Sequence, residues 1–97
     1  MIYSIHPEAE SEFAAAVEFY DEREEGLGES FSEEVFVTID RVIEFPNSWP
    51  PYSYRTRRCL CNRFPFSVIY RHTDAELTIY AVAHQSRKPG YWKDRLK

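Results

Sequence analysis

His84 and Arg87, followed by Lys88, Tyr91, Lys93 and Arg95, gather acid–base and cationic side chains at the end of a strand-like run. A histidine can exchange a proton near neutral pH, and arginine and lysine hold anions, so the cluster could do proton transfer beside a charged group. The same residues also admit a structural use. His84 could close the strand end by hydrogen bonding and orient the tail, Tyr91 and Trp92 could pack that tail onto a sheet, and the cationic run could be a partner-binding or solvated end. Arg58, Arg63 and Arg71 could supply further phosphate contacts, although sequence does not assign their faces. No ligand set for a metal is completed: Cys59 and Cys61 stand two apart in a strand-like run, without a CxxC or a histidine pair. Two residues apart on a strand, both thiols point to one face and lie too far apart for easy closure, which predicts two reduced, packed cysteines.

The net charge of −4 conceals a segregation. Residues 1 to 54 hold 13 acidic side chains against two basic, Arg23 and Arg41, giving −11; residues 55 to 97 hold ten basic against three acidic, giving +7. The basic half can attract phosphates or an acidic protein segment, and the acidic half repels nucleic acid unless it faces away. Mutual neutralisation of the halves within the fold is the other possibility.

These residues need a scaffold, and 97 residues with 43% hydrophobic and 16% aromatic content predict one folded domain over residues 1–97. The start lacks the basic flank and apolar stretch of a secretory leader, and no segment has the roughly 18 apolar residues of a membrane span. A soluble cytoplasmic protein is expected. Residues 2 to 6 read as a first strand. Pro7, suited to a first helical position, is followed by Glu8, Glu10 and Glu12 near the positive end of a helix dipole. Ala9, Phe13, Val17 and Tyr20 then mark the buried stripe of a helix to about Glu25. Gly26-Leu27-Gly28 breaks it, and Ser30 with Glu33 has the form of a capping box for a second helix, whose stripe Phe31, Val35, Ile39, Val42, Ile43 runs to Phe45 before Pro46.

A proline-rich loop, with Trp49 and Tyr52 as its anchors, leads to three strand candidates: Arg57 to Phe64, Phe66 to His72 and Leu77 to Ala83. Pro65 marks the junction of the first two and 73–76 the turn before the last. The order β-α-α-β-β-β predicts an α+β domain, a helical hairpin packed on an antiparallel sheet.

Arg63-Phe-Pro-Phe-Ser-Val-Ile-Tyr70 and Ala81-Val-Ala-His-Gln-Ser-Arg-Lys-Pro-Gly-Tyr-Trp92, ending at Arg95, resemble the C-terminal half of the RelE/ParE toxins. The likeness continues upstream through an alanine- and aromatic-rich helix, Leu27-Gly28, Phe31, and the loop with Pro46 and Trp49. It implies the toxin of a bacterial type II toxin–antitoxin pair, able to arrest growth or stabilise a plasmid. A small cognate antitoxin would wrap and silence it; no cofactor, metal or membrane is implied. Two biochemical classes share this fold: RelE-like members cut messenger RNA on the ribosome, and ParE-like members poison DNA gyrase. In the ribonucleases an arginine precedes the apolar pair and tyrosine of the middle strand, where this chain has Ser67. The resemblance places His84, Arg87 and Tyr91 as catalytic residues only if the chain is a ribonuclease. Arg58, Arg63, Arg71, Lys88, Lys93 and Arg95 are candidates for target or phosphate contacts. Ser67, the acidic hairpin and a pI near 5.3 favour the ParE-like branch. The alternatives are the ribonuclease and a degenerate member that only binds its antitoxin.

Overall fold

The computed structural model describes residues 2–97, ordered as β1 (Ile2–Ile5), α1 (Pro7–Arg23), α2 (Leu27–Glu44), β2 (Arg57–Leu60), β3 (Phe66–His72) and β4 (Glu76–His84). Short 3-10 turns occupy Ser53–Arg55 and Lys93–Leu96. The α+β architecture expected from the sequence is present. The four strands lie in the order β1-β4-β3-β2. β2, β3 and β4 are antiparallel, whereas β1 joins the edge of β4 in parallel, so the sheet is mixed. The reason is topological: the hairpin of α1 and α2 and the loop after it return the chain to the end where β1 began, so β2 starts in the direction of β1.

α1 begins where expected. His6 caps it, its Nδ1 accepting the Glu8 amide at 3.1 Å. α2 starts earlier than the Ser30–Glu33 pair predicts. Ser30 lies inside the helix, and Gly26, at φ 86°, is the residue before its first turn. The cap comes from the preceding helix, because Asp21 Oδ1 accepts the Gly28 amide at 2.8 Å. Gly28 has to be glycine, since a Cβ there would stand 2.5 Å from the Val17 carbonyl oxygen and 2.7 Å from Asp21 Cγ. The helices cross closely at that point because one of them carries no side chain.

The helices bury their stripe on one face of the sheet. Ala9, Ala16, Phe31, Val35, Ile39 and Val42 meet Val68, Tyr70, Ile79 and Val82. Phe31, fully buried, has ring centroids of Phe66 at 4.9 Å, Tyr20 at 5.1 Å and Phe64 at 5.3 Å around it. Removing such a ring from a close-packed cluster costs about 3–5 kcal/mol. Cys59 and Cys61 are free and buried on this same face, with Thr38 Oγ1 donating to Cys61 Sγ at 3.5 Å. Burial pushes the Cys59 thiol up to about 11, with Cys61 adding to the rise and Arg41 opposing it.

The opposite face is not left to solvent. Ile69, Ala81 and Ala83 are covered by Trp92, with Tyr52, Tyr91 and Leu96 around it. β4 bulges between its pairings Ile69↔Ala81 and Tyr70↔Ile79, leaving Tyr80 as the extra residue. Loop 45–56 is tied down by Trp49 Nε1 donating to the Arg41 carbonyl at 3.4 Å and by Arg57 Nη1 donating to the Trp49 carbonyl at 2.6 Å.

Candidate functional site

β1 pairs with β4 only as far as Ile5↔Ile79, so the C-terminal half of β4 has no strand on that side. α1 and the tail take its place through one carboxylate. Glu12 Oε1 accepts the Val82 amide at 3.1 Å and Arg95 Nη1 at 2.8 Å; Oε2 accepts the Tyr91 hydroxyl at 2.6 Å and Arg95 Nη2 at 3.1 Å. Arg95 Nη1 also donates at 2.9 Å to the carbonyl of Tyr80, the bulged residue. The two partners are largely withdrawn from water, with side-chain exposures of 11% for Arg95 and 17% for Glu12, so their hydrogen bonds are charge-assisted in a medium of reduced screening. Burial works against the charge on Arg95, and the hydrogen bonds and charge of Glu12 more than offset it, leaving its pKa raised. The Tyr91 hydroxyl is pushed up, first by burial and then by the Glu12 carboxylate to which it donates.

His84, Arg87 and Tyr91 line one open cleft of about 280 Å³ together with Glu12, Ala15, Ala16, Phe66 and Val82. The structure thus brings the three together, and each already has internal partners. His84 is exposed, with its Nδ1 accepting the Ser86 amide at 3.0 Å and its ring edge-on to Phe66 at 5.2 Å. That acceptance requires an unprotonated Nδ1. The Arg87 guanidinium lies 3.9 Å from the centroid of Tyr91, and Trp92 packs edge-on to the same ring at 5.3 Å. Tyr91 therefore has its hydroxyl and one ring face engaged within the fold.

The other candidates do not all join that cleft, although Arg58 adjoins His84 and Arg87 in a neighbouring depression. Arg58 covers the Tyr52 ring at 4.1 Å, and Tyr52 stacks on Trp92 at 5.4 Å. Arg71 Nη2 donates to the Tyr54 carbonyl at 2.7 Å. Arg63 is exposed at the β2–β3 turn beside Phe64, and does not line the cleft of His84, Arg87 and Tyr91. Lys88 and Lys93 are exposed, and Arg95 is committed to Glu12. Ser67 is buried at 2% exposure on the tail-covered face, opposite Ala83. Ser67 itself supplies no charge; the cations beside it, Arg58 and Arg87, come from β2 and the tail.

Sequence reasoning missed Glu12, which it read only as negative charge near the positive end of a helix dipole. The available signal was spacing: Glu12 follows Ala9 by three residues and precedes Ala16 by four, so it shares the alanine stripe that packs on β4. It also missed Tyr54 and Arg55, consecutive non-glycine residues both at φ 61°. Nothing in their types marks them for that conformation.

Among the described residues no group of three or more potential metal-ligating side chains occurs, and no helix is long and apolar enough to cross a membrane. A family model described as "ParE toxin of type II toxin-antitoxin system, parDE" matches residues 3–89. Comparison with curated proteins returns no match. Among solved structures, the fold is similar to a chain from the "Chromosomal ParDE TA system from P. aeruginosa", with a TM-score of 0.65 at 18% identity, covering 87% of this chain and 95% of that one.

Proposed function

Because the chain belongs to the ParE toxin family of type II toxin–antitoxin systems, for which a cognate antitoxin is the expected partner, we propose that it acts in the cytoplasm on DNA gyrase, as a poison that works through protein contacts and not by cutting RNA. The observation that carries this reading is the state of Tyr91. Its hydroxyl is donated to Glu12 at 2.6 Å and its ring is covered by Arg87 at 3.9 Å. A ring so engaged is a poor platform for stacking a base. Ser67, where the ribonucleases of the superfamily carry an arginine, adds no charge for a scissile phosphate. Purified protein should inhibit gyrase supercoiling and trap cleaved DNA while ribosome-bound messages stay intact. Intact supercoiling together with message cleavage at the ribosomal A site would reverse the assignment.

The ribonuclease remains the second reading, on one observation: His84, Arg87 and Tyr91 share a single cleft. RNA cleavage of this type needs a proton acceptor for the 2′-hydroxyl, charge stabilisation at phosphorus and a proton for the leaving oxygen. Arg87 could stabilise the charge and a protonated His84 could supply the leaving-group proton from Nε2; as a base His84 would have to give up the Ser86 contact at Nδ1.

A further inference from the structure

The charge division along the chain becomes a division across the sheet. α1 and α2, packed on one face, carry 11 acidic residues against Arg23 and Arg41. The opposite face is covered by segments 50–58 and 85–97, which carry eight basic residues against Asp94 alone. Among the described residues, Arg55, Arg87, Lys88 and Lys93 have no carboxylate within 4.0 Å, so the basic face is not neutralised from within. Beneath it, the indole nitrogen of Trp92, 1% exposed, lacks a hydrogen-bond partner.

The loop in this face is held in a strained form. Tyr54 and Arg55 are both left-handed at φ 61°. The strain is over-determined by Arg71 donating to the Tyr54 carbonyl at 2.7 Å, by Tyr52 N–H donating to the Thr56 carbonyl at 2.8 Å, and by the Tyr54 ring lying where a Cβ on Gly90 would stand, 2.4 Å from Cε2. Strain of this kind persists at sites where presentation of a side chain matters. The side chains presented are Tyr54, 52% exposed, and Arg55, also exposed. Lys88 and Lys93 flank Gly90 in the adjoining tail.

We propose that this loop–tail face, with Tyr54 and Arg55 at its tip and Arg58, Arg87, Lys88 and Lys93 around them, docks on the phosphate backbone of duplex DNA with the acidic helices turned away. Free cations without a matching carboxylate call for a polyanion, and the field of the helices orients the molecule on it. The aromatic rings of this face are stacked on each other or capped by guanidinium groups, with Tyr54 alone half-open. That arrangement suits backbone contacts and disfavours the splayed bases of single-stranded RNA. The inference deepens the gyrase reading, since DNA is what gyrase holds, and it is tested without gyrase.

The experiment is fluorescence anisotropy of the full chain with a mixed-sequence DNA duplex, at about 50 and about 200 mM salt. Roughly four phosphate contacts predict a fall in affinity on the order of 100-fold across that range. Arg55→Asn is the informative variant, because asparagine accepts a positive φ and the loop keeps its shape. It should weaken binding by about 3- to 10-fold and reduce the salt slope by about one. Arg23→Gln, the same charge change on the helical side, should leave binding unaltered. No binding at the lower salt, equal losses in the two variants, or tighter binding to single-stranded RNA of equal length would each overturn the proposal. Supercoiling inhibition without DNA binding by the chain alone would remove this face and leave the gyrase reading standing; DNA binding without supercoiling inhibition would do the reverse.

Discussion

The Tyr91 hydroxyl donates to Glu12 Oε2 at 2.6 Å, joining residues 79 positions apart. The contact fastens the tail to α1 where β4 has lost its neighbouring strand. Because the same carboxylate also meets Arg95 and the Val82 amide, its loss should exceed that of any one partner. Glu12→Ala leaves a guanidinium with 11% exposure holding only the exposed Glu8 carboxylate at 3.5 Å and the Tyr80 carbonyl and should cost about 3 kcal/mol, the lower end for breaking a buried pair; Tyr91→Phe removes one charge-assisted bond and should cost about 1.5–3 kcal/mol. Urea denaturation of the two single variants and the double variant checks this. Additive losses would mean that the two residues act separately.

Gly28→Ala should destabilise the protein by about 2–4 kcal/mol, since the added methyl meets the Val17 carbonyl at 2.5 Å and the helices have to part. Gly26→Ala meets no atom within 4 Å but forces alanine to φ 86°, for about 1 kcal/mol. Thermal unfolding of both variants should rank them in that order.

What sequence conveyed, and what it did not, follows from the range of the interactions concerned. The stripe Phe31, Val35, Ile39, Val42 is local periodicity, and α2 appears around it. Alternation in 66–72 and 77–83 likewise announced β3 and β4, and Pro65 directly precedes β3, but β2 ends at Leu60 and not at Phe64 because residues 61–65 form the turn. Pairings between distant segments were not legible. The cap on α2 comes from Asp21 and not Ser30, β1 lies parallel to β4, and Arg95, an apparent free cation, is held by a glutamate on α1. Arg55 was overlooked because an arginine in a loop looks alike whether or not its backbone is strained.

Stability should decline in alkali, beginning above about pH 9. Burial raises the Cys59 thiol from 9.0 to about 11 and the Tyr70 hydroxyl from 10.0 to about 12. Folded values above unfolded ones mean that the native state holds these protons more tightly. Their contribution is complete below about pH 9 and is lost as pH rises through 11 and then 12. Denaturant midpoints at pH 8 and 10.5 measure the decline, and Cys59→Ala should make it shallower. An unchanged slope in that variant would clear Cys59 of any part in it.

Expression of the chain alone should arrest bacterial growth, and co-expression of the adjacent small open reading frame should restore it, because a type II toxin is silenced by a cognate partner. Unimpaired growth at verified levels of folded protein would point to a degenerate member that only binds.

His84 and Arg87 separate the two toxic mechanisms. Under the gyrase reading neither transfers a proton. His84→Ala should leave growth arrest and supercoiling inhibition within about threefold of the parent, its Nδ1 having held only the exposed Ser86 turn. Arg87→Ala uncovers the Tyr91 ring and should act through weakened surface contacts, a loss of about 1 kcal/mol for one exposed cation–π pair. A ribonuclease would respond otherwise: losing the histidine as acid–base group or the arginine as charge stabiliser should each lower message cleavage on the order of 100-fold or more, with antitoxin binding kept. The difference between a few-fold and a hundred-fold effect exceeds what packing changes at an exposed residue produce. Supercoiling and message cleavage measured on the same three preparations decide it, and a hundred-fold loss of cleavage in His84→Ala would retire the gyrase assignment.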